Sequence, residues 1–182
     1  KIKRLGFLVE KVLHMSLFER QKAALKLKKV HANDLVVNIA HTFTLKVEKY
    51  GGSIDIDLQA EESSIYVDEM HITNVLFNLM DNAVKYRRPD VPLELMARTW
   101  NENGKLMISI EDNGVGIKKE YVKKVFDRFF RVPTGNVHDV KGFGLGLAYV
   151  RKIIEDHNGS IRADSEINVG TKFIITLPLI KS

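Results

Sequence analysis

Apolar residues along this chain fall into two rhythms, one recurring every three or four positions and the other on alternate positions, and their order sets out a mixed fold. Ile2, Leu5, Val9 and Val12 stand three, four and three apart, the seam of a helix that packs lengthwise on others and is expected to end near Gln21. That strip suits a helix lying on its own domain as well as the remaining part of a bundle helix. Leu25, Leu27 and Val30 suggest a short strand, after which Asn33 or Asp34 can cap a helix to Tyr50, closed by Gly51 and Gly52. Ile54, Ile56 and Leu58 alternate with polar residues, as in a half-buried strand. A brief strand at Ile65 to Val67 leads to Asp68, a good N-cap for a helix with Val75, Leu76, Leu79, Met80 and Ala83 on its apolar side.

Strands at Leu93 to Trp100 and Lys105 to Glu111 flank NENG, a hairpin signal. A helix is expected from about Lys118 to Phe126, then a polar stretch from Arg128 to Lys141 of the length that lids use. The helix from Gly146 to His157 stops at Asn158 and Gly159, and strands at Ser160 to Asp164 and Thr171 to Leu179 follow. Strands and helices so interspersed predict an α+β two-layer sandwich, a mixed, mostly antiparallel sheet covered on one face by helices. Residues 25–182 are expected to form that domain, with residues 1–21 as the end of a helix from a neighbouring bundle.

Composition narrows the function. At 182 residues and 45% hydrophobic the chain can bury one sizeable core and an appendage. The absence of cysteine excludes disulfides and thiolate metal sites and fits a cytoplasmic setting. Its net charge of +5 invites a nucleic-acid reading, but the lysines are dispersed among acidic residues and no basic run alternates with stacking aromatics, so nucleic acid is not an expected partner. The first residues are too charged for a signal peptide, and no stretch reaches the ~18 apolar residues of a spanning helix. Because the chain starts without Met inside a helical pattern, it is expected to be a piece of a longer protein, whose membrane anchorage is an open question.

Three segments carry the candidate chemistry. Asn78 and Asn82 are four apart, on one helix face, and their amide oxygens are hard ligands suited to Mg²⁺. Lys85 is on the same side, where its charge could offset phosphate, and Tyr86 could stack on a base. Asp112 ends an apolar strand before Asn113, Gly114 and Gly116; a carboxylate there accepts but cannot donate, which suits the exocyclic amine of adenine and not the carbonyl of guanine. Gly142, Gly144 and Gly146 open a helix whose free N–H groups favour phosphate. Singly, each also has an ordinary reading: polar residues on an exposed helix, a turn aspartate, a common glycine loop.

In this order the segments resemble the catalytic and ATP-binding domain of sensor histidine kinases of two-component systems, in the superfamily shared with DNA gyrase and a heat-shock chaperone. NLMDNAVKY resembles the family's N box, DNGVGI and GFGLGL its glycine boxes, FDRFFR its F box, and Gly170-Thr171 its last box. The resemblance runs from about Val30 to the end. It implies that ATP is bound with Mg²⁺ on Asn78 and Asn82, that Lys85 and Tyr86 line the nucleotide, and that Asp112 binds adenine beside Gly114, Gly116, Ile117 and Thr171. It implies further that Gly142, Gly144, Leu145, Gly146 and Leu147 close over the phosphates, that Phe126 and Phe130 anchor this lid, and that Arg131, or Arg128, reaches the γ-phosphate. The gyrase-like branch carries a Glu base where Asn78 stands, so an amide there favours phosphoryl transfer over hydrolysis.

None of the six histidines has the context of the family's phosphoacceptor: His14 precedes Met15 and Ser16, and His71 is on the N-box helix. The implied partners are therefore a phosphoacceptor histidine bundle, of the same or a partner subunit in a homodimeric parent, and the receiver domain of a response regulator. Two other readings stay open, an ATP-driven switch of the gyrase or chaperone type and a nucleotide-binding interaction module without transfer.

Overall fold

In this computed structural model residues 24–130 and 146–180 are described. The expected helix at 1–21 lies outside them, as do Arg131, Gly142, Gly144 and Leu145 of the expected site.

The elements run β1 (Lys28–His31), α1 (Ala32–Glu48), β2 (Ser53–Leu58), β3 (Ser64–Val67), α2 (Glu69–Lys85), β4 (Glu94–Glu102), β5 (Lys105–Asp112), α3 (Gly146–Asp156), β6 (Ser160–Glu166) and β7 (Gly170–Pro178). Five strands form one sheet in the order β2-β4-β5-β7-β6; β2 runs parallel to β4 and every other pairing is antiparallel. β1 and β3 pair separately.

The β4–β5 hairpin turns on Asn103 and Gly104, both at positive φ (53° and 72°), the two-residue geometry that matches strand twist. Its register sets every row of the sheet. Ala97, Ile110, Phe173 and Ala163 align across four strands, and Thr99, Ile108, Ile175 and Ile161 form the next row. Both rows are on the face covered by the helices, where Val36, Phe43, Val75, Leu79, Met80, Val150 and Ile154 complete the core. The two-layer expectation therefore holds, with the sheet mixed only at its β2 edge.

Three local expectations need correction. Residues 118–126 form two short 3₁₀ turns, Lys119–Tyr121 and Lys124–Phe126, in place of one helix. Nine residues give an α-helix little return on its nucleation cost, and tight turns suffice to bury Val125 and Phe126. Neither Asn33 nor Asp34 caps α1, whose cap position is His31, with no side-chain bond to the helix's first N–H groups. Asn33 instead donates to Ala60 O (3.0 Å) and accepts from Thr99 Oγ1 (2.6 Å), satisfying groups on the sheet layer. On β2, Ile56 and Leu58 are exposed, since this strand has a neighbour on one side only. Asp68 does cap α2, accepting from His71 N–H at 3.2 Å.

Candidate functional site

One row further along, the same register places Leu95, Asp112, Thr171 and Ser165 side by side at the edge of the covered face. Alternation thus drives Asp112 inward. Its Oδ1 accepts from Gly114 N–H (2.8 Å) and Thr171 N–H (3.3 Å). Burial pushes the carboxyl up to about 6 and the Glu111 charge adds to this, although the two N–H groups pull it down. With Oδ1 engaged, Oδ2 is the acceptor the site can offer a ligand.

The loop after β5 is pinned at close range. Val115 N–H donates to Tyr86 O (2.9 Å), Asn168 N–H to Val115 O (2.9 Å), and Ile117 N–H to Ser165 Oγ (2.7 Å). Ser165 in turn donates to Gly170 O (2.9 Å) and meets Thr171 Oγ1 at 2.8 Å. A Cβ on Gly114 would stand 2.5 Å from Tyr86 O, and one on Gly116, whose φ is +76°, 2.1 Å from Glu166 O. Only glycine permits this approach of the loop to α2 and to the β6–β7 turn.

Across from Asp112, α2 carries the two asparagines. Asn78 Nδ2 donates to Asn74 O one turn back (2.8 Å), which turns Oδ1 away from its own helix. That oxygen faces the start of α3: a Cβ built on Gly146 would be 3.7 Å from it. Asn82, one turn on, is half-buried, and Tyr86 closes the helix. Lys85 reaches Asp81 (3.4 Å), which also binds Lys46 of α1 (2.9 Å). Burial alone would raise the Asp81 carboxyl; the Lys46 hydrogen bond and the charges of Lys85 and Lys46 outweigh it and hold the group low.

Phe126 is buried edge-on to Phe173 (6.0 Å between centroids), and Phe130 packs on the core beside Tyr121 (5.7 Å). Leu147 also packs on the core from the first turn of α3. The structure therefore gathers Asn78, Asn82, Asp112, Gly114, Gly116, Ile117, Gly146 and Thr171 between the end of the sheet and two helices. Lys85 points to α1 through Asp81. Ser165 escaped the sequence reading because its bond to Ile117, 48 residues away along the chain, is made only in the fold.

The buried carboxylate at the sheet end thus stands with two asparagines of α2, one of them facing the start of α3. The chain belongs to the histidine kinase-, DNA gyrase B-, and HSP90-like ATPase family, whose model matches residues 67–181. Within it the resemblance is to sensor kinases: the sensor protein RprX of Bacteroides fragilis is 68% identical over 180 residues, 99% of this chain. The chain spans about a third of that relative, 35% of its length. The catalytic domain of histidine kinase ThkA, solved free of nucleotide, is 28% identical with a TM-score of 0.70, over 85% of this chain and 97% of that one. Full-length ShkA, solved in complex with AMPPNP, matches 98% of this chain and 36% of its own at a TM-score of 0.84; at 24% identity it attests the fold alone.

Proposed function

We propose that this chain is the part of a sensor histidine kinase that binds Mg-ATP and passes the γ-phosphate to a histidine on a separate dimerisation segment, for relay to a response regulator. The observation that carries the reading is the pairing of Asp112, buried at the sheet end, with Asn78, whose Oδ1 is turned toward the start of α3.

Asp112 selects adenine through its free carboxylate oxygen and the exocyclic amine. Gly114, Gly116, Ile117 and Thr171 bring backbone against the base. The first N–H groups of α3, at Gly146 and Leu147, favour the phosphates. Lys85, exposed and joined to Asp81 by one 3.4 Å contact, exchanges that partner for phosphate on binding. Tyr86 borders the base through the loop it holds. Arg131, Gly142, Gly144 and Leu145 enter this reading from the motif resemblance, with Phe126 and Phe130 as anchors on the core.

The donor set suits Mg²⁺. The amide oxygens of Asn78 and Asn82, hard ligands one turn apart on α2, would hold the cation together with phosphate oxygens. When bound, Mg²⁺ neutralises charge developing on the transferred group. Asn78 itself has no proton-accepting capacity near neutral pH, so water is not activated there and transfer to an imidazole is favoured over hydrolysis.

Isothermal titration tests the adenine assignment. ADP should bind the chain with Mg²⁺ present, and Asp112→Ala should weaken that binding by about tenfold or more, on the scale of losing a hydrogen bond to a charged group. Equal affinity of the two proteins would refute it.

A further inference from the structure

α2 and α3 are joined by a polar stitch that lies outside the residues assigned to ATP. Tyr149, one turn into α3, has its hydroxyl 2.7 Å from His71 Nδ1, and the Asn74 side chain also hydrogen-bonds the phenol. His71 is buried to 9% exposure in the first turn of α2, and its ring packs 6.0 Å from that of Tyr149. Asn74 is one turn further along, and its carbonyl receives Asn78 Nδ2. The contacts close a circuit. Tyr149 holds His71 and the Asn74 side chain, α2 itself carries the Asn74 backbone carbonyl that receives the Asn78 amide, and Asn78 Oδ1 faces Gly146, which is three residues before Tyr149 on α3.

The geometry points to Tyr149 as a positioning residue for the phosphate end of the site: with His71 and Asn74 it sets the spacing between Asn78 Oδ1 and the first N–H groups of α3. This rests on the Mg-ATP reading above. Of two helices that each contribute half of a phosphate site, neither half is useful unless their separation is fixed, and groups that orient first-contact ligands commonly govern ligand affinity. The hydroxyl can accept from Asn74 and donate to His71 Nδ1, so the circuit uses both of its capacities. Phenylalanine at 149 would keep the ring packing and lose both bonds. The adenine end, built on β5, β7 and the loop after β5, has no share in the circuit.

Binding of Mg-AMPPNP and of adenosine to the whole 182-residue chain separates the two ends. Tyr149→Phe should weaken Mg-AMPPNP about tenfold while leaving adenosine within about twofold. His71→Leu should do the same, and His71→Asn, which restores an acceptor near the Nδ1 position, should recover most of the loss. Should Tyr149→Phe not fold, the two His71 variants carry the test. Equal weakening of both ligands, or no change in either, would assign the stitch to folding alone and overturn the inference. If the unsubstituted chain bound neither ligand, the Mg-ATP reading would fail and this inference with it; with normal binding by that chain, a negative result removes Tyr149 only.

Discussion

Asp112 combines two demands that conflict. Between pH 3.8 and about 6 the folded chain keeps a proton on this carboxyl that the unfolded chain has released, so its contribution to stability falls as pH rises through that window and stays unfavourable above it. Asp112→Asn should therefore leave the ligand-free protein at least as stable at pH 7.5, with an equal or higher Tm, because its amide oxygen still accepts from Gly114 and Thr171. The same change presents N–H groups to a donor, so adenine nucleotides should bind at least about tenfold more weakly. A lower Tm with unchanged affinity would reverse both assignments. Acidification of the unsubstituted protein has a matching signature: ADP affinity should decline by up to about tenfold per pH unit below about 6, as the carboxylate is protonated. At the metal end, Asn78→Ala should abolish Mg²⁺-dependent phosphotransfer, and full transfer in that variant would exclude Asn78 as a ligand. The residue types and spacings of this site were legible from sequence, since Asp112 ends an alternating strand and the asparagines share a helix face. The carboxyl's raised proton affinity was not, because it arises from burial that only the β5–β7 register creates.

At the scale of elements, the structure separates glycines that punctuate from glycines that permit contact. Gly51 and Gly116 both have positive φ (70° and 76°), yet a Cβ at Gly51 would meet nothing within 4 Å and one at Gly116 would collide with the Glu166 backbone. Gly51→Ala should thus cost about 1 kcal/mol and Gly116→Ala about 3 kcal/mol or more, as read from urea denaturation midpoints. Similar losses at both positions would contradict the close approach. Asp68→Ala removes the cap of α2 and also an acceptor of Lys26 N–H (2.9 Å), so a loss of about 1–2 kcal/mol is expected. Long periodic elements such as α2 and the β4–β5 hairpin could be read from the chain because local pattern and tertiary packing agree there. Reading failed where a distant partner decided: Asn33 abandons its expected cap for Ala60 and Thr99, and residues 118–126 take the shape that buries Val125 and Phe126.

At the largest scale, the five-stranded sheet and three helices of the described residues hold one core, and the candidate site occupies one end of it, between layers. On the proposed reading, that end would hold the nucleotide with its phosphates on the α2–α3 side. Phosphotransfer from γ-labelled Mg-ATP to a supplied phosphoacceptor bundle, scored for label on histidine and for free phosphate in the same reaction, tests the kinase reading most directly. The account predicts acid-labile, base-stable label on the acceptor that requires Asn78 and Mg²⁺, with little free phosphate. Steady release of free phosphate with no labelled histidine would contradict it and favour a hydrolytic switch.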